Sequence, residues 1–298
     1  MSGDHFPILI IGAGPAGLSA AMQLSRQGQE ALVLERDRVG GLLWNANLVE
    51  NYPGFPEGIS GPDLVRLMQR QADRLQVQVA IEEVVRTSYL DGLFRIETDK
   101  RELTSSYLVA ATGTSPRKID LPVTGLELDG RLFYEVYPLL GRKDLRILII
   151  GAGDAAFDYA LNLAGKNQVT ILNKGREIKA LPLLVERAAE HPGITYCPGQ
   201  PVASIDVTEM GSLEILAGEN GQLHSYQADY LLAAVGREPD VGFADPSIIN
   251  NSSGLLEENR LFMIGDLVNG SHRQTAIAVG DGIRTAMFIG NLIQKEER

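Results

Sequence analysis

Ile8-Leu-Ile-Ile11-Gly12-Ala-Gly14-Pro-Ala-Gly17 decides the fold. Four apolar residues in a row read as a strand buried on both faces. The glycines turn the chain into a helical stretch, Leu18–Arg26, and Gly28 can end it, because glycine takes the left-handed cap cheaply. Ala31-Leu-Val-Leu34 returns as a second strand and runs into Glu35. Strand, glycine-rich turn, helix and strand make a β-α-β unit of the kind that holds a dinucleotide. One glycine makes the turn, one admits the pyrophosphate to the backbone, and one lets helix and strand pack. The helix start offers unpaired N–H groups and a positive dipole end to phosphate. Glu35, 18 residues (35 − 17) beyond the last glycine, suits a carboxylate that accepts from a ribose diol.

The arrangement comes back 139 residues (151 − 12) later. Arg146-Ile-Leu-Ile-Ile150 is a strand, Gly151-Ala-Gly153-Asp-Ala-Ala156 a turn, Phe157–Ala164 a helix and Val169-Thr-Ile-Leu172 a strand. Ala156 stands at the third glycine. The same count carries Glu35 onto Lys174, with Arg176 and Lys179 nearby. A basic group there suits a 2′-phosphate, so NADPH is expected ahead of NADH. Between the copies, Pro62–Leu75 has a helical period and Phe94–Leu108 alternates like strand. Leu108-Val-Ala-Ala111 runs into Thr112-Gly113, Tyr230–Val235 into Gly236, and Leu261-Phe-Met-Ile264 into Gly265-Asp266; Thr275–Ile293 reads as a closing helix.

The chain has 298 residues, about two domains' worth, and 44% are apolar, enough for sizeable cores. Lys and Arg number 27 against 38 Asp and Glu, a net charge of −11 with no basic block, which argues against nucleic acid. The single cysteine, Cys197, excludes a disulfide framework, an internal dithiol and a multi-cysteine metal site. The four histidines have no metal-ligand spacing. No run reaches the ~18 apolar residues of a membrane span. The start MSGDHFP lacks a signal peptide's basic region, so a cytoplasmic protein is expected.

Taken together and in order, Gly12–Gly17, Gly40-Gly41, Val49-Glu-Asn-Tyr-Pro-Gly-Phe55, Ala111-Thr-Gly113, Gly151-Ala-Gly-Asp154, Gly265-Asp266 and Arg273-Gln274 resemble the low-molecular-weight thioredoxin reductase type of flavoprotein disulfide reductase, over nearly the whole chain. The resemblance implies an α/β protein with two Rossmann-like domains, the nicotinamide domain inserted into the FAD domain. Residues 1–117 and 243–298 would bind FAD, and 118–242 NADPH or NADH. It implies a homodimer, and a domain rotation about crossings at Pro116–Leu121 and Arg237–Gly242. The FAD residues it implies are Gly12, Gly14, Pro15, Ala16, Gly17, Glu35, Arg36, Gly40, Gly41, Leu42, Asn51, Ala111, Thr112, Gly113, Gly265, Asp266, Arg273, Gln274 and Thr275. Those for NAD(P) are Gly151, Gly153, Asp154, Ala155, Lys174, Arg176 and Lys179. Glu35 would hold the adenosine ribose and Asp266 the ribityl chain. Arg273–Thr275 would border the isoalloxazine at a helix N-terminus, whose dipole favours negative charge there.

The chain departs from that family where it matters. The family's Cys-x-x-Cys pair falls on Tyr134-Glu-Val-Tyr137. Without a dithiol, electrons cannot leave the flavin by thiol exchange. A flavin-side glutamine is replaced by Leu42, and the family's His-Arg-Arg motif for the 2′-phosphate reads Asn173-Lys174-Gly175. Thioredoxin-reductase-like ferredoxin–NADP reductases also lack the cysteines and carry a tyrosine at the place of Tyr134, but usually add a C-terminal aromatic extension; here the chain stops at Arg298. The expected activity is hydride transfer from NAD(P)H through FAD to a non-disulfide acceptor: ferredoxin, flavodoxin, a quinone or a small molecule. Its rivals are a flavoenzyme reduced by ferredoxin alone and a non-catalytic flavin-binding subunit. Tyr134 and Tyr137 are candidates to stack near the flavin, and His272 to give it a proton. Trp44 is read as packing ahead of lining the flavin pocket. Asp154 and Asp158, near a helix start, fit dipole complementation better than catalysis.

Overall fold

In a computed structural model of the chain, residues 4–296 are described, except 121, 126, 127, 129, 209, 210 and 220. Leu121, at the end of the first expected crossing, lies outside them. The chain divides into two compact units: Met1–Trp44, Val49–Ser115 and Glu238–Arg298 form the first, Asn45–Leu48 and Pro116–Arg237 the second. The expected boundaries had left residues 45–48 with the first unit, and the structure moves this tetrapeptide to the second.

Unit 1 opens with β1 (Asp4–Ile11), α1 (Pro15–Arg26) and β2 (Ala31–Glu35), followed by α2 (Gly61–Arg74) and β3 (Gln78–Ile81). The strands β4 (Val84–Leu90), β5 (Leu93–Thr98) and β6 (Glu102–Ala110) complete its first half. Ser60 caps α2, its hydroxyl accepting from the Asp63 N–H. The alternating stretch read as one strand is a hairpin, β5 and β6, with Phe94 opposite Ser105 and Glu97 opposite Glu102. The sheet runs β3-β2-β1-β6-β5-β4, parallel at β1–β2 and β1–β6. Leu9 and Ile11 pack into one core with Leu32, Leu34 and Phe94. Ile8 and Ile10 alternate to the other face and are equally hidden from water.

A short strand, β7 (Thr114–Pro116), leads into unit 2, which contains β8 (Val123–Gly125), β9 (Leu132–Phe133) and β10 (Arg146–Ile150). Then come α3 (Asp154–Ala164), β11 (Gln168–Leu172), α4 (Pro182–Glu190) and β12 (Ile194–Cys197). A meander of β13 (Val202–Val207), β14 (Leu213–Ala217) and β15 (His224–Ala228) precedes β16 (Tyr230–Ala233) and β17 (Arg237–Pro239). The main sheet is parallel, in the order β12-β11-β10-β16-β9. Ile147 and Ile149 meet Phe157 and Ala160 of α3 on one face. Leu148, between them, meets Ile205 and Ile215 of the meander on the other. That is why β10 is apolar at every interior position.

The chain re-enters unit 1 through α5 (Pro246–Glu257), β18 (Leu261–Met263) and α6 (Thr275–Glu296). β18 takes the far half of β6, Leu261 opposite Leu108. By length and composition α6 is the one helix among the described residues able to cross a membrane, with a mean hydropathy of 1.3. It is nonetheless built into unit 1. A Cβ on Gly282 would lie 2.2 Å from the Ala16 carbonyl oxygen of α1, so only glycine permits this approach. Its far side exposes Ile283, Met287 and Phe288.

Candidate functional site

The unit 1 motifs are far apart in sequence but meet at the C-terminal ends of β1, β2, β6 and β18, where open α/β sheets bind ligands. Gly12 donates to the Leu34 carbonyl at 2.8 Å, and Ala111 N–H to that of Ile11. A Cβ on Gly12 would sit 2.4 Å from the Ala111 oxygen, at a φ of +101°. The Gly40 N–H reaches the Ala13 carbonyl at 2.8 Å, and Gly41 lies against the Gly14 backbone. Gly265 closes on Ala16, where a Cβ would come within 2.8 Å of the alanine methyl. Glu35 ends β2 with both oxygens on the loop: Oε2 accepts from Ala13 N–H at 2.8 Å and Oε1 from Asp37 N–H at 3.1 Å. Asn51 donates to Gln274 Oε1 at 2.6 Å, joining two of the expected flavin residues.

Three features of this cradle fit FAD. Helix α1 starts at Gly14 with no side-chain cap, leaving its N–H groups for phosphate. Around Gly14 nothing would touch a Cβ within 4 Å, so the loop faces open space. At the start of α6 the Arg273 Nε is buried with no hydrogen-bond partner, a donor in need of an acceptor. Other expected residues are engaged elsewhere. Arg36 forms a 3.2 Å ion pair with Asp240, and Thr112 Oγ1 donates to the Asp240 carbonyl. Trp44 Nε1 donates to the Val39 carbonyl, in keeping with packing. His272 is exposed.

Unit 2 repeats the first loop's backbone. Gly151 donates to the Leu172 carbonyl at 3.0 Å and Ala234 N–H to that of Ile150. A Cβ on Gly151 would lie 2.3 Å from the Ala234 oxygen. This register corrects the position count. Ile11 stands opposite Leu34, but Ile150 stands opposite Leu172, so the second copy is one residue shorter. The counterpart of Glu35 is therefore Asn173, not Lys174. Asn173 is buried. Its Nδ2 donates to the Glu177 carbonyl and the Tyr196 hydroxyl, and its Oδ1 accepts from Gly175 N–H. Lys174 and Arg176 project from the turn that follows, both exposed. The chain then folds back onto the loop: Lys179 N–H donates to the Ala152 carbonyl, and Asp154 Oδ1 accepts from Leu181 N–H at 2.8 Å.

The Tyr134–Tyr137 segment sits in a polar cluster of unit 2 that the sequence had not revealed. Glu135 Oε2 accepts from Asn45 Nδ2 at 2.8 Å and from the Tyr159 hydroxyl at 3.2 Å. Its Oε1 pairs with Arg237 Nη1. Asn45 Oδ1 takes the Tyr137 N–H at 3.0 Å. Burial first, then the Glu135 charge, pushes the Tyr159 phenol above its usual range. Asn47 N–H donates to Asp158 Oδ2 at 3.0 Å, and burial, with a smaller push from Asp154, raises Asp158 to about 6. The Tyr134 hydroxyl accepts from Ile119 N–H at 3.2 Å, the satisfied structural role of a tyrosine. Cys197 lies apart from this segment, at the end of β12. No single motif announces the cluster, because its members are scattered polar residues that only the fold gathers.

A model of the pyridine nucleotide-disulphide oxidoreductase family matches residues 6–282. A thioredoxin reductase of Streptomyces clavuligerus is 31% identical over 94% of this chain and 91% of its own length. The crystal structure of Lactococcus lactis thioredoxin reductase is similar at a TM-score of 0.84 and 27% identity, covering 97% of this chain and 99% of that one. The bacillithiol disulfide reductase of Staphylococcus aureus shares the fold, with a TM-score of 0.73 at 20% identity over 96% and 98% of the two chains. With two Rossmann-like units of this fold and a single cysteine that rules out a Cys-x-x-Cys pair, the chain belongs to the pyridine nucleotide-disulphide oxidoreductase family.

Proposed function

We propose that this protein is an FAD-dependent oxidoreductase that takes hydride from NAD(P)H and passes electrons to an acceptor other than a disulfide. The carrying observation is the place of the missing dithiol. It holds Glu135 bound to Asn45, Tyr159 and Arg237, with no sulfur to relay electrons. When bound, FAD would supply the electron store between a two-electron donor and the acceptor.

The residues of unit 1 would bind and orient it. The N–H groups at the start of α1 would take the pyrophosphate, and Glu35, already held by Ala13 and Asp37, would accept from the adenosine ribose. Asp266 would hold the ribityl chain. Arg273 and the dipole of α6 would favour negative charge at the ring's pyrimidine edge. In unit 2 the Gly151–Ala155 loop would take the nicotinamide dinucleotide's pyrophosphate. A homodimer would cover the apolar side of α6.

Anaerobic mixing of the flavin-loaded protein with NADPH, NADH or reduced ferredoxin, followed by flavin absorbance, tests the reading. Bleaching by a nicotinamide and no turnover with oxidised thioredoxin are expected. Bleaching by reduced ferredoxin alone would overturn the nicotinamide route, and no bleaching by any donor would favour a non-catalytic flavin-binding subunit.

A further inference from the structure

The turn after β11 meets a carboxylate from the meander, a layer that the sequence reading did not anticipate. Asn173, at the place of Glu35, is neutral, and its amide is fully engaged within unit 2. The charges near a ribose 2′ position therefore come from Lys174 and Arg176. Lys174 has no ion-pair partner among the described residues, whereas Arg176 Nη2 lies 3.6 Å from Glu219 Oε1. Glu219 follows β14 in the hairpin to β15. Its carboxylate rests against Gly199, where a Cβ would approach it to 2.4 Å at a φ of +66°. Gly199 N–H in turn donates to the Gly175 carbonyl at 2.7 Å. Three turns, at residues 175, 199 and 219, thus bring the guanidinium and the carboxylate together.

We propose that Glu219 is a specificity-determining residue of unit 2, which holds Arg176 back from a 2′-phosphate and so lets the 2′-hydroxyl form of the dinucleotide compete. The proposal rests on the reading that unit 2 binds a nicotinamide dinucleotide. The physics is a difference of affinities. A 2′-phosphate must displace Glu219 from Arg176 and then sit beside a like charge. A 2′-hydroxyl does neither, and can donate to the same carboxylate. Lys174 and Lys179 would remain to favour the phosphate.

Calorimetric titration of the flavin-loaded protein with adenosine 2′,5′-bisphosphate and with adenosine 5′-monophosphate reads this without turnover. The expected result is that Glu219→Gln tightens the bisphosphate about fivefold relative to the monophosphate, the size of an exposed ion pair. In an Arg176→Ala background the same substitution should shift the ratio less, because only the repulsion of the phosphate and the hydroxyl contact are then removed. An unaltered ratio in the single variant, or an equal gain without Arg176, overturns the role of Glu219 while leaving the nucleotide site intact. If wild type and Glu219→Gln bind neither compound, the adenosine site itself falls, and the proposal with it.

Discussion

The two glycine loops are copies in backbone and opposites in surroundings. Both glycine turns, at Gly12 and Gly151, press on a carbonyl just past a neighbouring parallel strand, Ala111 after β6 and Ala234 after β16, and both helices start at an uncapped glycine. The helices then part ways. Gly17 is so close to Gly12 that a Cβ would lie 1.9 Å from its carbonyl oxygen, whereas Ala156 carries its methyl group fully buried. The next buried positions of α1, Ser19 and Ala20, are small and receive Gly282 of α6. Their counterparts in α3 are Asp158 and Tyr159, which receive Asn47 and Glu135. One repeat buries its helix with a glycine-notched helix, the other with a tetrapeptide and a polar cluster. A duplicated nucleotide fold keeps its loop geometry because backbone N–H groups do the binding, and it is free to change what packs behind.

Gly17→Ala is the severest test of that contrast. The methyl group has backbone in its way, so a loss of about 3 kcal/mol or more is expected, together with loss of retained flavin. The reciprocal Ala156→Gly should cost less, about 2 kcal/mol from the helix penalty of glycine and the loss of a buried methyl group. Urea unfolding of both variants settles it, and equal effects would erase the packing difference.

Glu135→Ala comes next. It removes the carboxylate that Arg237 and the Tyr159 hydroxyl share, both largely hidden from water, and a loss of about 3 kcal/mol in urea unfolding is expected. A neutral outcome would mean that the cluster does not hold α3 as the glycine contact holds α1.

Asp158→Asn tests the same helix through pH. The folded protein raises this carboxyl from 3.8 to about 6, so the folded state holds the proton more tightly than the unfolded chain. Its cost to stability is absent below pH 3.8 and grows until the pH passes about 6. The variant should therefore gain on wild type with rising pH, by about 3 kcal/mol across that window. Thermal unfolding at a series of pH values measures it, and a flat difference would show that Asp158 is not strained by burial.

The smallest effect is expected at the strand ends. Glu35→Gln keeps the shape but removes the charge that accepts from Ala13 and Asp37, and FAD affinity should fall by about 1 to 2 kcal/mol. Asn173→Gln in unit 2 should leave FAD affinity unchanged. Equal loss from both would contradict their separate assignments.

Much of this was legible in the chain. The strands Arg146–Ile150 and Ala31–Glu35 and the long helix from Thr275 follow from apolar runs and turn residues, and the structure has them within a few residues. The glycine loops and Glu35 were visible for the same reason, since each needs a particular residue type at a local spacing. The meander β13–β15 was not, because its strands are short and its apolar residues answer to β10 from across the core. Lys174 was misplaced as the match of Glu35 because a one-residue deletion between repeats does not show in a residue count, whereas a hydrogen-bond register exposes it.

The sequence by itself determined the duplicated β-α-β unit, its two glycine turns and the absence of a dithiol, since these rest on local backbone demands and on the presence or absence of a residue type. The tertiary structure alone decided which partners Glu135 finds in the dithiol's place and which charge faces Arg176. Glu135 meets Asn45 and Arg237, and Arg176 meets Glu219, across long stretches of chain. Such encounters depend on where strands end in space, which no local pattern encodes.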